Sequence, residues 1–310
     1  MKPRLFDAHC DTAYELWSRG EHLARNSCHI DLEKAAPLRA YAQVFAFCSC
    51  AGTPVGRCPE RLLHEPLAYL QSEVRQNAER IAFAASPEEV TALTEAGKIA
   101  ALLSIEGPEV IRSDPAALAG LREAGFIMTT LTWNAGNALA GTHGSNDGLT
   151  TQGADFVREA QRLGIAIDVS HLSEAAFWDL MRITRKPILA SHSNCRALCE
   201  NTRNLTDDQL RAIADTDGAV GLNLYVPFLG ETADFATLLR HLEHLLRLCG
   251  EGRVVLGGDL DGCDRLPQGF DDLRSYVDFS DYLRGRGYDE ALLDRMFFGN
   301  LLELLKGEVM

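Results

Sequence analysis

The chain has 310 residues, of which 46% are hydrophobic, and its formal net charge at pH 7 is −14. This length is enough for one large barrel or two ordinary domains with a sizeable core. The acidic balance makes nucleic acid and anionic membrane surfaces poor partners, because both attract basic faces. The sequence shows no signal-peptide pattern, no apolar run of membrane-spanning length and no lipid-anchor signal, so we expect a cytoplasmic protein.

The nine cysteines are scattered along the chain without the spacing of a zinc finger. Cys48 and Cys50 are too close in sequence for an ordinary disulfide, whereas Cys195 and Cys199 could face each other on a helix. An odd number of unpatterned cysteines is typical of reduced thiols in the cytosol.

Apolar, strand-like runs alternate with amphipathic helices along the whole chain. Eight strands are predicted, at PRLFDAH, AQVFAFCS, IAALLSIEG, FIMTTLTW, GIAIDVSH, PILASHS, GAVGLNLY and RVVLGGDLDG. Near-continuous apolar runs are typical of parallel strands that are buried on both faces. Helix-start signals lie between them, such as Thr206 with Gln209, which form the pattern of a capping box. The stretch from Ala51 to Ala85 is expected to hold an extra helix and a loop.

This alternation predicts a single (β/α)8 barrel over residues 1–310. A doubly wound open sheet is the alternative fold. It is disfavoured because no G-x-G-x-x-G pattern follows any predicted strand.

Polar residues with metal-binding chemistry stand where the predicted strands end. Functional residues of such barrels lie at the carboxyl ends of the strands. The residues at these ends are His9, Asp11, Glu106, His171, His192 and Asp259. A single histidine at a strand end is more often structural than a ligand. Three histidines together with carboxylates form a nitrogen and oxygen donor set suited to zinc or a similar divalent ion.

The same residues divide naturally between two ions. No lysine ends a predicted strand, so Glu106 is the candidate bridge, one ion lying with His9 and Asp11 and the other with His171 and His192. Two ions at bridging distance lower the pKa of a shared water, and Asp259 is then the expected proton carrier. Asp261 competes for that role, but Asp259 comes first after the strand.

The remaining histidines are weaker candidates. His241 and His244 are three residues apart on a predicted helix and could share an ion, but a solvated helix face is the favoured interpretation. His143 lies in the loop after the strand FIMTTLTW and faces the site end of the barrel.

The order of H-x-D, IEG, DVSH, SHS and GGDLDG along the chain resembles the renal (membrane) dipeptidase family of the amidohydrolase superfamily. The similarity also includes NTRNLTDDQL and FFGNLLELL, so it spans essentially the whole chain. It implies a barrel with two Zn²⁺ ions that hydrolyses dipeptides, often with tolerance for a D-residue at the C-terminal position. A homodimer is a further expectation drawn from the resemblance.

The resemblance also implies roles for individual residues. It assigns five zinc ligands, namely His9, Asp11, Glu106, His171 and His192. It makes Asp259 the catalytic acid and base, and Arg203 the residue that grips the substrate carboxylate with two parallel bonds. Tyr225, at the end of a predicted strand, is a second expected substrate contact.

Trp133 is a third expected substrate contact and marks a departure from the family, many of whose members have a histidine at this position that contacts the reacting oxygen of the substrate. An indole N–H can donate a hydrogen bond but cannot carry charge. The departure affects the expected stabilisation of the transition state and the expected substrate range. His143 is a nearby residue that could donate to the oxyanion instead.

Two rival functions remain at this stage. One is another amidohydrolase, such as a deaminase or lactamase, which Arg203 disfavours because those substrates need not offer a carboxylate there. The other is a non-catalytic barrel, which the full set of site residues disfavours.

Overall fold

A closed sheet of parallel strands forms the centre of the computed structural model, which describes residues 2–48 and 60–309. The strands within these ranges are β1 (Arg4–Cys10), β2 (Ala40–Cys48), β3 (Ile81–Phe83), β4 (Ile99–Glu106), β5 (Phe126–Thr130), β6 (Ala166–Asp168), β7 (Ile188–Ala190), β8 (Ala219–Leu222) and β9 (Val254–Leu256). Their order is β2-β1-β9-β8-β7-β6-β5-β4-β3, and pairing of β2 with β4 closes the circle. The predicted (β/α)8 barrel is confirmed, with β3 as an additional strand outside the ring of eight.

Strand β3 was not predicted from the sequence. It pairs with the first residues of β4, and β5 pairs with the later ones. It lies in the short apolar run IAFAA, within the stretch that was expected to hold an extra helix and a loop, and was therefore missed. The expected extra helix is present at Arg61–Gln76. Most of the expected loop lies in residues 49–59, which are outside the described residues. Cys50 is one of these residues.

Several strands end earlier than the sequence indicates. Strand β6 ends at Asp168, three residues before His171, and β7 ends at Ala190, two residues before His192. Strand β9 ends at Leu256, so Asp259 also lies in a loop. The backbone of His171 and of Asp259 has a positive φ angle, 69° and 57° respectively. Residues other than glycine rarely adopt such angles. Such strained positions are concentrated at functional sites.

Helices surround the barrel. They are α1 (Thr12–Arg19), α2 (Arg61–Gln76), α3 (Pro87–Glu95), α4 (Leu118–Glu123), α5 (Thr151–Arg162), α6 (Glu174–Ile183), α7 (Asp207–Asp215), α8 (Val226–Leu229), α9 (Phe235–Cys249), α10 (Ser275–Arg284), α11 (Glu290–Asp294) and α12 (Asn300–Val309). The capping box of Thr206 and Gln209 at the start of α7 is confirmed. Within the described ranges no helix combines the length and the apolar character needed to span a bilayer.

The barrel interior is filled by apolar side chains from all eight barrel strands, among them Phe6, Ala42 and Leu102. In a β-strand, residues two apart share one face. Leu102, Ser104 and Glu106 therefore follow one another up the same face of β4, and Glu106 caps this layer at the carboxyl end. In this way the packing of the barrel places a buried carboxylate at the centre of its mouth.

Candidate metal centre

Glu106, His171 and His192 form one compact group of donor atoms. The Nε2 atom of His171 lies 2.9 Å from Oε1 of Glu106, and Nε2 of His192 lies 3.5 Å from the same oxygen. The two Nε2 atoms are 3.0 Å apart. All three side chains are buried. Three convergent donors at this spacing could hold one metal ion.

A second group adjoins the first and consists of His9, Asp11 and Glu106. The Nε2 atom of His9 is 3.7 Å from Oδ1 of Asp11 and 3.7 Å from Oε1 of Glu106. Although it is buried, this nitrogen has no hydrogen-bond partner among the described residues. Nitrogen and oxygen ligands bind a divalent ion at about 2.0–2.2 Å, which brings neighbouring donors to within about 3–4 Å of each other. The residues therefore fit a divalent cation, which would satisfy the orphaned nitrogen.

Hydrogen bonds to the opposite ring nitrogens fix the tautomers of His171 and His192. Nδ1 of His192 lies 2.6 Å from Oγ of Ser191, whose hydroxyl donates in turn to Asp168. Nδ1 of His171 lies 3.1 Å from Oδ1 of Asn134. Because both Nδ1 atoms act as donors, both Nε2 atoms present lone pairs to the centre. This is how metal-binding histidines are commonly oriented.

Asp168 also lies near the centre and forms a third possible metal-binding group with His9 and His192. Its oxygens already accept from the backbone N–H groups of Ser170 and Ser191, each at 2.9 Å, and from the Ser191 hydroxyl. These bonds suit a carboxylate that positions His192 better than one that binds an ion. Sequence reasoning missed Asp168 and Ser191, although they lie within the quoted DVSH and SHS motifs.

Cys48 is a further neighbour that the sequence did not indicate. Its Sγ lies 3.1 Å from Oδ1 of Asp11 and 3.2 Å from Oε2 of Glu106. Burial and the two carboxylates hold the pKa of this thiol well above its usual value. Cys48 is therefore protonated, and its single S–H can donate to either carboxylate.

Burial and neighbouring charges shift the pKa values of the groups at the centre. Burial raises the pKa values of Glu106 and Asp259. Burial opposes protonation of His9, but the nearby Glu106, Asp11 and Asp259 outweigh it and raise the pKa of His9 to about 10. Burial lowers the pKa of His192, which keeps that ring neutral. A divalent cation bound among these side chains would offset the negative charge of the carboxylates.

Asp259 faces the centre and Asp261 does not. Oδ1 of Asp259 lies 3.8 Å from Nε2 of His9, and its Oδ2 accepts from Asn223 at 3.2 Å. The oxygens of Asp261 are engaged by the hydroxyl of Thr12 at 2.6 Å and by the backbone N–H of His29. The geometry favours Asp259 for proton transfer, which stays a prediction.

Gly262 closes the loop that carries both aspartates. A Cβ atom at this position would lie 2.4 Å from Oδ2 of Asp11 and 2.4 Å from Oδ1 of Asp259. Real side-chain atoms do not approach so closely. The absence of a side chain here therefore allows the two carboxylates to approach each other.

A cavity of about 280 Å³ opens onto the centre and contains the predicted substrate contacts Arg203, Tyr225 and Trp133. Arg203 is 5% exposed, makes no ion pair within residues 2–48 and 60–309, and leaves Nε without a hydrogen bond to them. Burial lowers the pKa of Arg203. Its guanidinium carbon lies 5.2 Å from the centre of the Phe228 ring.

His143 lies on the same cavity, as its loop position suggested. Its Nδ1 is 3.0 Å from Oγ1 of Thr202, and its ring centre is 6.1 Å from that of His171. Burial and Arg203 lower the pKa of His143 to about 4, so the ring is neutral.

The interpretation of His241 as solvated was wrong. The side chain is buried, its Nδ1 accepts from the backbone N–H of Cys195 at 3.3 Å, and Nε2 faces the carbonyl of Leu229. His244 binds Asp207 at 2.7 Å. The two histidines contact different partners rather than converging on an ion.

Comparison with known proteins assigns the chain to a family. The model of the membrane dipeptidase family, peptidase family M19, matches residues 2–309. The chain belongs to this family. It is therefore a peptide-bond hydrolase of the dipeptidase class.

Two curated relatives illustrate the similarity. An uncharacterized protein encoded in the pqqA 5′ region of Klebsiella pneumoniae is 34% identical over 80% of this chain and 96% of its own length. The dipeptidase aclJ of Aspergillus oryzae is 33% identical over 67% of this chain. The chain spans about half the length of this and two other dipeptidase relatives.

A solved structure extends the similarity to the complete barrel. The metallopeptidase of Rhodobacter sphaeroides, in complex with a phosphinate mimic of the dipeptide L-Ala-D-Ala, is 27% identical and superimposes with a TM-score of 0.90. The match covers 99% of this chain and 100% of the other.

Proposed function

We propose that the protein is a zinc-dependent dipeptidase that binds two Zn²⁺ ions and accepts dipeptides with a C-terminal D-residue. The observation that carries this proposal is the guanidinium of Arg203, which is buried beside the candidate metal-binding cluster and makes no ion pair with any described residue. A buried charge without a partner is costly, so such a group is retained where a ligand supplies the counter-charge.

The C-terminal carboxylate of a dipeptide is a suitable counter-charge for Arg203. A guanidinium can bind a carboxylate with two parallel N–H···O bonds, which orients the substrate as well as holding it. The cavity volume of about 280 Å³ suits a small ligand. A deaminase or lactamase substrate would not require a carboxylate at this place, which favours the dipeptidase over these alternatives.

The two donor groups define where the ions would be held. His9, Asp11 and Glu106 would bind one ion, and Glu106, His171 and His192 the other, because Oε1 of Glu106 faces both sets. Imidazole and carboxylate ligands are typical of zinc. When bound, the ions would supply a water of lowered pKa and would polarise the peptide carbonyl.

The protein groups then position the substrate and move protons. Asp259 would accept a proton at the attacking side and pass it to the leaving amine, while Asn223 holds its Oδ2 atom. Tyr225 and Trp133 would contact the peptide from the cavity wall. The indole of Trp133 is neutral. The charges around the bound substrate would therefore come from Arg203 and the metal-binding residues.

Tolerance for a D-residue is supported by the Rhodobacter relative, whose bound inhibitor mimics L-Ala-D-Ala. The test is hydrolysis by zinc-loaded protein of L-Ala-D-Ala, L-Ala-L-Ala and L-Ala-D-Ala amide. We expect both free dipeptides to be cleaved and the amide to be a poor substrate, because it lacks the carboxylate. Cleavage of the amide as fast as the free dipeptide would contradict the proposal.

A further inference from the structure

A second and larger cavity opens on the other side of the metal centre. Its volume is about 420 Å³. Its lining among the described residues comprises Asp11, Tyr14, Glu15, Cys48, Leu62, Trp133, Asp261 and Gly262. Asp11, Trp133 and Gly262 also line the first cavity, so the two spaces meet at the metal centre.

The second cavity lies across the barrel from Arg203. Arg203 follows β7, whereas the second cavity is bounded by α1, the end of β2 and the start of α2. In the closed strand order, β7 and β2 are on opposite sides of the ring. A dipeptide with its carboxylate at Arg203 and its peptide bond near Glu106 would therefore extend its N-terminal residue into the second cavity.

The walls of this cavity combine apolar surface with negative charge. Tyr14, 37% exposed, is one of two large hydrophobic residues in the described part of the chain that remain exposed. Leu62 and Trp133 add further apolar surface. Small-molecule sites are typically lined by apolar and aromatic side chains with a few polar groups that fix the ligand's orientation.

Glu15 is the acidic group best placed to meet a ligand here. Its Oε2 atom binds Nε of Arg19 at 2.6 Å, whereas Oε1 makes no hydrogen bond to any described residue. Asp11 belongs to the metal centre, and the oxygens of Asp261 are engaged by Thr12 and His29. No basic side chain lines the cavity within the described ranges.

We propose that the second cavity receives the N-terminal residue of the dipeptide and that Glu15 selects long side chains with a cationic end, namely lysine or arginine. The aliphatic stem of such a side chain would pack on Tyr14 and Leu62, and its charged end would reach Oε1 of Glu15. This inference rests on the proposed dipeptidase function and specifies its substrate class.

The test compares kcat/KM for L-Lys-D-Ala with that for L-norleucyl-D-Ala, which has the same stem but no charge. Partly exposed ion pairs contribute modestly, so we expect an approximately fivefold preference for lysine in the native protein. The preference should fall to about one in Glu15→Gln. In Glu15→Lys, L-Glu-D-Ala should be cleaved faster than L-Lys-D-Ala.

Two further variants serve as controls. Glu159→Gln removes a glutamate that pairs with Arg162 on α5, away from the cavity, and should keep the lysine preference. Arg19→Gln leaves Glu15 without its competing cation and should keep or increase the preference. Hydrolysis of L-norleucyl-D-Ala at the native rate would show that each variant is folded and metal-loaded.

The outcomes separate this inference from the function on which it rests. If all dipeptides are cleaved but Glu15→Gln leaves the lysine-to-norleucine ratio unchanged, the role of Glu15 is overturned and the dipeptidase stands. If the metal-loaded native protein cleaves none of the dipeptides, the proposed function is overturned together with this inference.

Discussion

The Nε2 atoms of His171 and His192 lie 3.0 Å apart and both face the carboxylate of Glu106. The other nitrogen of each ring is engaged, by Asn134 and by Ser191 respectively. Two imidazole lone pairs at this distance repel each other unless a cation or a proton lies between them. The relationship therefore supports the proposed metal site, in which hydrogen bonds from outside the ligand set orient both imidazole rings.

Substitution of Asp168 tests these outer hydrogen bonds. In Asp168→Asn, the chain from Asp168 through Ser191 to His192 is weakened, because an amide accepts through only one of its two end atoms. Loss of such partners typically lowers metal affinity by about 10–100-fold. Zinc affinity measured by competition with a chromophoric chelator should fall by this amount.

Asp155→Asn is the matched control, since Asp155 pairs with Arg158 on the exposed face of α5. Equal zinc affinities for Asp168→Asn and the native protein would refute the positioning role.

Removal of the guanidinium in Arg203→Ala should raise KM for free dipeptides by about 10–100-fold, because charge-assisted hydrogen bonds contribute about 1.5–3 kcal/mol. The C-terminal amide of the same dipeptide serves as the internal control, since it offers no carboxylate. We expect steady-state kinetics to show little change for the amide. An equal loss for both substrates would argue that Arg203 acts on the structure of the site and not on the carboxylate.

Gly262→Ala tests how closely the two aspartates must approach. The new Cβ would displace Asp11, Asp259 or both, and a misplacement of about 1 Å can cost about 100-fold in rate. We expect kcat to fall by at least this factor while the thermal unfolding midpoint of the metal-free protein changes little. Gly252→Ala is the control, because a Cβ there meets no atom within 4 Å. Native kcat in Gly262→Ala would show that the loop adjusts freely.

His241 should make stability depend on pH. Burial lowers its pKa from 6.5 to about 4, so the unfolded chain binds this proton more readily than the folded one. The contribution of the neutral ring is therefore complete above pH 6.5 and is lost as the pH falls towards 4. The shift corresponds to about 3 kcal/mol.

His241→Gln keeps hydrogen-bonding groups at this position but cannot be protonated. Denaturant unfolding of the metal-free protein at pH 7 and pH 4.5 should show a smaller loss of stability in this variant than in the native chain. Parallel losses in both proteins would assign the pH dependence to other groups.

The candidate site was predictable to the extent that its residues follow strands. Glu106 ends β4, and His171 and His192 were found although β6 and β7 end two or three residues earlier. The loops after these strands continue towards the mouth of the barrel. The prediction of the site residues therefore did not depend on the exact residue at which each strand ends. Asp259 was found for the same reason.

Other features depend on contacts between distant segments and could not be predicted. Asp261 accepts hydrogen bonds from Thr12 and His29, which lie in distant parts of the chain. The second cavity is likewise formed by separate segments, namely α1, β2 and α2. The burial of His241 is different, because Leu238, His241, Leu242 and Leu245 lie on one helical face and are all buried. That periodicity was present in the sequence and should have placed the histidine in the core.

The most direct test of the proposed zinc-dependent function is the metal content of the purified, zinc-loaded protein, measured together with hydrolysis of L-Ala-D-Ala before and after chelation. We predict about two zinc ions per chain, one or fewer in Glu106→Gln, and cleavage that is lost on chelation and restored by zinc. Chelated protein that still cleaves the dipeptide at the native rate would contradict a metal-dependent dipeptidase.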